Sequence, residues 1–281
     1  MTAAPVRPLA PPRTGPLRMV PAWTTYAQMA ARKVYIYRMN VIFGIVLTGL
    51  TIYLLTVVWS TGYAGRSEVN GIAIGQLLTY LTIANLQVRF LTADVDEDIR
   101  ERIREGQIAF DINRPTPFPS MLMAGAAGKM LGMVPMLVIG LPVALIAGEL
   151  RPPPSVSAGL GYAVSLLLAW VIAVELNLVM GLIAFWTLEL TGFQMMYRLV
   201  GQFCTGALIP LWFMPDAIRV IVQLLPWQAM GFLPVSIYVG EPVTGSLYTA
   251  LGVQLLWIVI LVGIIAWVWR KAFRNAVIQG G

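Results

Sequence analysis

The chain has 281 residues, 58% of them hydrophobic and only 11% charged, with a net charge of +6. A soluble domain carries about 25% charged residues, so this is the composition of an integral membrane protein. There is no histidine and one cysteine, Cys204, which excludes imidazole acid–base catalysis, an internal disulfide and a thiol–histidine pair, and removes most zinc sites.

Residues 1–20 are proline-rich, carry Arg7, Arg13 and Arg18, and contain no apolar h-region. They read as a disordered cytoplasmic tail rather than a signal peptide. Over residues 21–38, Trp23, Tyr26, Ala27, Ala30, Val34 and Tyr37 recur at helical spacing, with Arg32 and Lys33 on the polar side. That pattern predicts an amphipathic helix on the inner leaflet. It serves either as a positive anchor for the first span or as an elbow passing movement into the bundle.

Residues 39–281 form the membrane domain. A span needs about 20 mainly apolar residues to cross ~30 Å of hydrocarbon, and the sequence supplies six: about 40–59, 71–91, 121–148, 158–188, 193–214 and 247–269. The second contains Gln76, Thr79, Thr82, Asn85 and Gln87, so it lines the bundle interior rather than facing lipid all round. The fourth holds Glu175 and Asn177 mid-span, where a carboxylate must face protein or a wet cavity. Glu175 is read either as a substrate or proton contact or as an interhelical hydrogen bond. Cys204 falls in an apolar run and reads as a packing residue. Residues 215–242 are broken by Pro215, Pro226, Pro234 and Pro242, which predicts two short helices dipping into the outer leaflet as a re-entrant hairpin.

Orientation follows the basic residues. With both termini cytoplasmic, only Arg66, Arg151 and Arg219 of the nineteen basic residues fall outside. Between spans two and three this places a cytoplasmic charged segment, residues 94–117, holding seven of the thirteen carboxylates. Val95, Ile99 and Ile103 repeat every four residues as an apolar stripe, while Asp96, Arg100 and Arg104 form a row of opposite charges at i,i+4. Gly106 then suits a bend, and Ile108, Ala109, Phe110 and Ile112 make a short docking element. The segment predicts a solvated helix with a face to dock.

Catalytic readings fit less well. Asp94, Asp96 and Asp98 alternate as in a calcium loop, and Glu105 stands at position 12, but position 6 is Ile99 instead of glycine. The run Gly125–Met130 lacks the glycine spacing and the Ser/Thr of a phosphate loop. Gly71/Gly75 and Gly128/Gly132 have the spacing of close helix contacts.

On Ile103-Arg104-Glu105-Gly106-Gln107-Ile108-Ala109, then Asn113-Arg114-Pro115, and on the closing run Gln254–Gly281, the chain resembles the membrane permease of a type-2 ATP-binding-cassette exporter. It is most similar to the small six-span permeases found as dissimilar pairs. The resemblance implies an all-α membrane protein without catalysis of its own, whose path serves an amphipathic small molecule or lipid in the bacterial inner membrane. It implies cytosolic ATPase subunits, which bind the ATP and Mg, a second identical or homologous permease, membrane lipids around the bundle, and no nucleic acid. It also implies that Asp98, Arg100, Glu101, Arg102, Arg104, Glu105, Gly106, Arg114 and Pro115 meet the ATPase in a coupling helix. Gln76, Asn85, Glu175 and Asn177 are candidates for the translocation path. The alternative is a lipid-processing membrane enzyme using a metal at Asp94–Asp98.

Overall fold

The computed structural model describes residues 16–91, 94–112, 116–187, 191–241 and 245–279. Among these residues twelve α-helices follow one another: α1 (Pro16–Ile36), α2 (Arg38–Tyr63), α3 (Ile74–Leu91), α4 (Val95–Arg104), α5 (Ile108–Ile112), α6 (Phe118–Ala147), α7 (Val156–Ile183), α8 (Thr191–Cys204), α9 (Asp216–Gln223), α10 (Pro226–Met230), α11 (Phe232–Val239) and α12 (Leu247–Gln279). Strands β1 (Glu68–Val69) and β2 (Ile72–Ala73) pair as a hairpin between α2 and α3. Its turn is Asn70-Gly71, both at positive φ (53° and 80°). That is the Asn-Gly signature of a tight hairpin turn, carried by the stretch in which span two was expected to begin.

Among the described residues three helices are long and apolar enough to cross a membrane: α2, α7 and residues 247–272 of α12. A fourth is α6 if its two parts count together, since it bends by 64° between Pro135 and Gly140. Pro142 follows the break, and a proline removes one helical hydrogen bond and crowds the carbonyl four residues earlier. Helix α3 coincides with the second expected span, yet its Thr, Gln, Asn and Arg side chains lower its hydropathy. The fifth expected span departs most from the structure. Its helix, α8, stops at Cys204 after 14 residues, too short to cross ~30 Å of hydrocarbon at 1.5 Å per residue. Gly206 at φ +74° and Pro210 end it.

Helix α7 is the central post, packed against α12, α11, α4, α10 and α3. One core cluster gathers Leu77, Tyr80 and Leu81 of α3 with Ile172 of α7, Leu211, and Phe232 and Val235 of α11. A second joins Val95 and Ile99 of α4 to Met121 of α6, Val174 and Leu178 of α7, and Val268 of α12. Trp269 belongs with this second group, stacking on Phe118 at 5.3 Å, whereas Trp267 is exposed beneath Lys271. Cys204 is buried in the first cluster.

Helix α1 begins at Pro16, inside the stretch read as a tail; proline suits a first helical position. Its Trp23, Tyr26, Ala27, Ala30 and Val34 lie on the more buried face, while Arg32, Lys33 and Tyr37 are exposed. That face meets α6. A Cβ on Gly128 would stand 2.0 Å from the Ala27 carbonyl, and one on Gly132 would stand 3.0 Å from that of Ala31. The Gly128/Gly132 spacing therefore admits a helix backbone. Gly71 lies instead in the hairpin turn, and Gly75 faces the Arg151 guanidinium.

Candidate functional site

The charged segment folds as two helices separated by a bend, in the order the sequence predicts. Asp94 adopts φ +46°, the left-handed conformation that Asp tolerates better than most residues, and turns the chain from α3 into α4. Asp96, Glu97 and Asp98 fill the first turn, where the helix dipole favours carboxylates. Gly106 at φ +71° makes the bend before α5.

The apolar stripe does not face outward. Val95 and Ile99 are buried against α6 and α7, and a Cβ on Gly181 of α7 would stand 2.5 Å from Ile99 Cδ1 and 2.9 Å from Asp96 Cα. Gly181 is what lets α4 lie directly on the membrane helix. Polar side chains strap the same helix to its neighbours. Lys129 Nζ of α6 donates to Asp98 Oδ2 at 2.9 Å, Gln194 Nε2 of α8 to Asp96 Oδ2 at 2.8 Å, and Arg198 Nη2 of α8 to Glu97 Oε1 at 2.9 Å. Burial, the dominant cause, raises the carboxyl pKa of Asp96, and Arg198 partly offsets it; burial likewise raises that of Asp94, offset in part by Lys129.

Beyond the first turn the residues divide. Arg102 pairs with Asp111 of α5, whose side chain is 3% exposed, so it braces the bend rather than pointing outward. Asp98 likewise turns to Lys129, and Arg100 is half-buried. Glu101, Arg104, Glu105 and Gly106 are exposed, with Gln107 donating to Glu105 at 2.7 Å. Phe110 is 76% exposed at the tip. Arg114 and Pro115 lie outside the described residues.

Of the acidic residues in the metal alternative, Asp96 turns to α8 and Asp98 to α6. Among the described residues no three acidic, histidine or cysteine side chains group together for a metal ion.

The candidate path residues are scattered. Gln76 accepts from the Ala73 amide and lines a small cleft with Thr79, Arg151 and Tyr238. Asn85 donates to the carbonyls of Leu81 and Ala207, and Asn177 to that of Ala173. Glu175 is 2% exposed, and its Oε2 has no partner among the described residues. Three further polar contacts escape a reading by spacing. Tyr80 Oη donates to the Gly206 carbonyl at 3.0 Å, Gln87 Nε2 to that of Gly231 at 2.6 Å, and Gln254 Nε2 to that of Ala229 at 2.8 Å. Each satisfies backbone in the irregular stretch after α8. Non-helical backbone at membrane depth requires such partners, so polar residues in α3 and α12 facing a proline-broken segment were the available signal.

The family model described as "ABC-2 family transporter protein" matches residues 45–280. The chain belongs to the ABC-2 transporter family. It is therefore a multi-pass permease subunit, and membership implies partnership with an ABC ATPase. A search of curated proteins finds no match. In this ABC-2 permease the α4–α5 segment is the described stretch richest in charge, and it is wedged beneath α6, α7 and α8.

Proposed function

We propose that this chain is the permease subunit of an ATP-driven exporter for an amphipathic small molecule or lipid, with α4 and α5 forming its coupling element. ATP and Mg bind a separate cytosolic ATPase, and the working unit contains a second identical or homologous permease. The observation that carries this reading is the division of labour within the charged segment. Helix α4 is fastened to three membrane helices, while Phe110, Glu101, Arg104 and Glu105 are left exposed at its free side and tip. An element of this kind converts a push at its tip into displacement of the helices it touches. Phe110 supplies the aromatic anchor that dominates many interfaces.

In this reading α3 crosses with α2, α6, α7 and α12, and α8 completes a sixth crossing only together with the irregular stretch that follows it to Met214. Helices α9 to α11 form the outer re-entrant hairpin, both termini are cytoplasmic, and the membrane is the bacterial inner membrane. The positive-inside distribution supports that orientation. Of the four scattered path candidates, Glu175 keeps a buried carboxylate oxygen without a partner among the described residues, while Gln76, Asn85 and Asn177 bond to backbone. Co-purification from the native host in mild detergent is expected to recover an ATPase and a second permease. In vesicles containing that complex, Arg104→Glu combined with Phe110→Asp abolishes transport while the permease remains folded and inserted; an unaltered transport rate overturns the coupling role.

A further inference from the structure

A cleft of about 190 Å³ opens between α2, α3 and α6 near the α4 end of the bundle. Its walls are mostly aliphatic, including Ile45, Ile52 and Val143, and its polar side chains are Asn40, Thr48, Arg89 and Asp94.

Arg89 is held in a defined pose. Its Nε donates to Thr48 Oγ1 at 2.9 Å, and the Thr48 hydroxyl donates in turn to the Gly44 carbonyl at 2.8 Å. The guanidinium lies over Gly44, where a Cβ would stand 2.9 Å from Nη1. Among the described residues no carboxylate pairs with it. A cation fixed in apolar surroundings without a counter-anion is costly, and its planar fork matches phosphate geometry. Asp94 lines the same cleft, yet it forms no ion pair with Arg89. A cation and an anion thus face one cavity without touching.

The charges behind Asp94 decide which head group suits. Lys129 and Arg198, which act on Asp94 at longer range, are already paired with Asp98 and Glu97, and Asp96 adds a fourth carboxylate. Asp94 stands on the cleft lining and three further carboxylates fill the first turn of α4 behind it, which disfavours a purely anionic head group.

We propose that this cleft binds a phospholipid whose head group carries a primary ammonium, with its phosphate on Arg89, its ammonium on Asp94 and the start of an acyl chain along Ile45, Ile52 and Val143. The inference requires only that the chain spans a membrane, and it is independent of the ATP-driven reading. The cavity accommodates the head group and first methylenes, and the remaining chain lies in the bilayer.

The test uses the assembled transporter in phosphatidylcholine nanodiscs doped with photoreactive phosphatidylethanolamine, phosphatidylglycerol or phosphatidylcholine. Crosslinked peptides are then mapped. Phosphatidylethanolamine is expected to label α2, α3 and α6 above either other lipid. Arg89→Gln lowers that labelling tenfold or more, and Arg89→Lys retains most of it. Asp94→Asn, which tolerates the left-handed backbone, erases the preference over phosphatidylcholine while leaving labelling in place. Equal labelling by phosphatidylglycerol, unchanged labelling of the Arg89→Gln variant, or an unlabelled cleft covered by a second permease would each overturn the proposal.

Discussion

Helices α4 and α5 are joined by a three-residue break around Gly106 and share one charged segment, yet they treat their apolar residues in opposite ways. In α4 the stripe of Val95 and Ile99 is buried against the membrane helices, and all three first-turn carboxylates are bonded to α6 or α8. In α5 the largest side chain, Phe110, stands in the open. In the coupling role proposed above, the exposed Phe110 is the point of contact and the seated α4 is the path of transmission.

The strongest way to break this comparison is to push α4 off its seat. Gly181→Leu inserts a side chain where Ile99 and the Asp96 backbone now lie. Overpacking of this kind costs about 3 kcal/mol, visible as a lower melting temperature of the detergent-purified permease together with lost transport. Next in size is Phe110→Ala. Losing an interface anchor costs about 2 kcal/mol, or about a 30-fold weaker association with the ATPase, while the permease melts as the wild type does.

Arg102→Ala removes the ion pair that ties α4 to Asp111 of α5, at a cost of about 1 kcal/mol. Faster hydrogen exchange in α5 is the readout, and the swap Arg102→Asp with Asp111→Arg recovers part of the protection. The smallest effect carries an unusual sign. Burial holds the Asp96 carboxyl pKa above its ordinary value of 3.8, so the native state binds the proton more tightly than the unfolded state. Stability contributed by that proton is present at low pH and is lost as pH rises through the raised value. Asp96→Asn, which can still accept from Gln194, accordingly raises the melting temperature slightly at pH 7, and the advantage fades as the pH falls toward 4.

Much of this contrast was legible in the sequence. The four-residue repeat of Val95 and Ile99 and the bend at Gly106 follow from local rules that the fold obeys. What the stripe would dock onto was not legible, because that depended on Gly181, some eighty residues away, leaving room for it. The same limit explains α8. Its apolar residues run on past Cys204, but the chain leaves the helix where Gly206 takes positive φ and its carbonyl accepts from Tyr80. Hydropathy registers the apolar run and is blind to a backbone whose hydrogen bonds are completed from another helix. For Asn85 and Gln87, polarity correctly placed the residues inside the bundle, where both serve the backbone of the irregular segment.

The most direct test of separated contact and transmission uses a photo-crosslinking residue at single positions of the assembled transporter. A benzoyl-phenylalanine replacing Phe110 is expected to capture the ATPase, whereas one replacing Ile99 is expected to capture only α7 of its own chain. Capture of the ATPase from position 99, with none from position 110, would contradict the account.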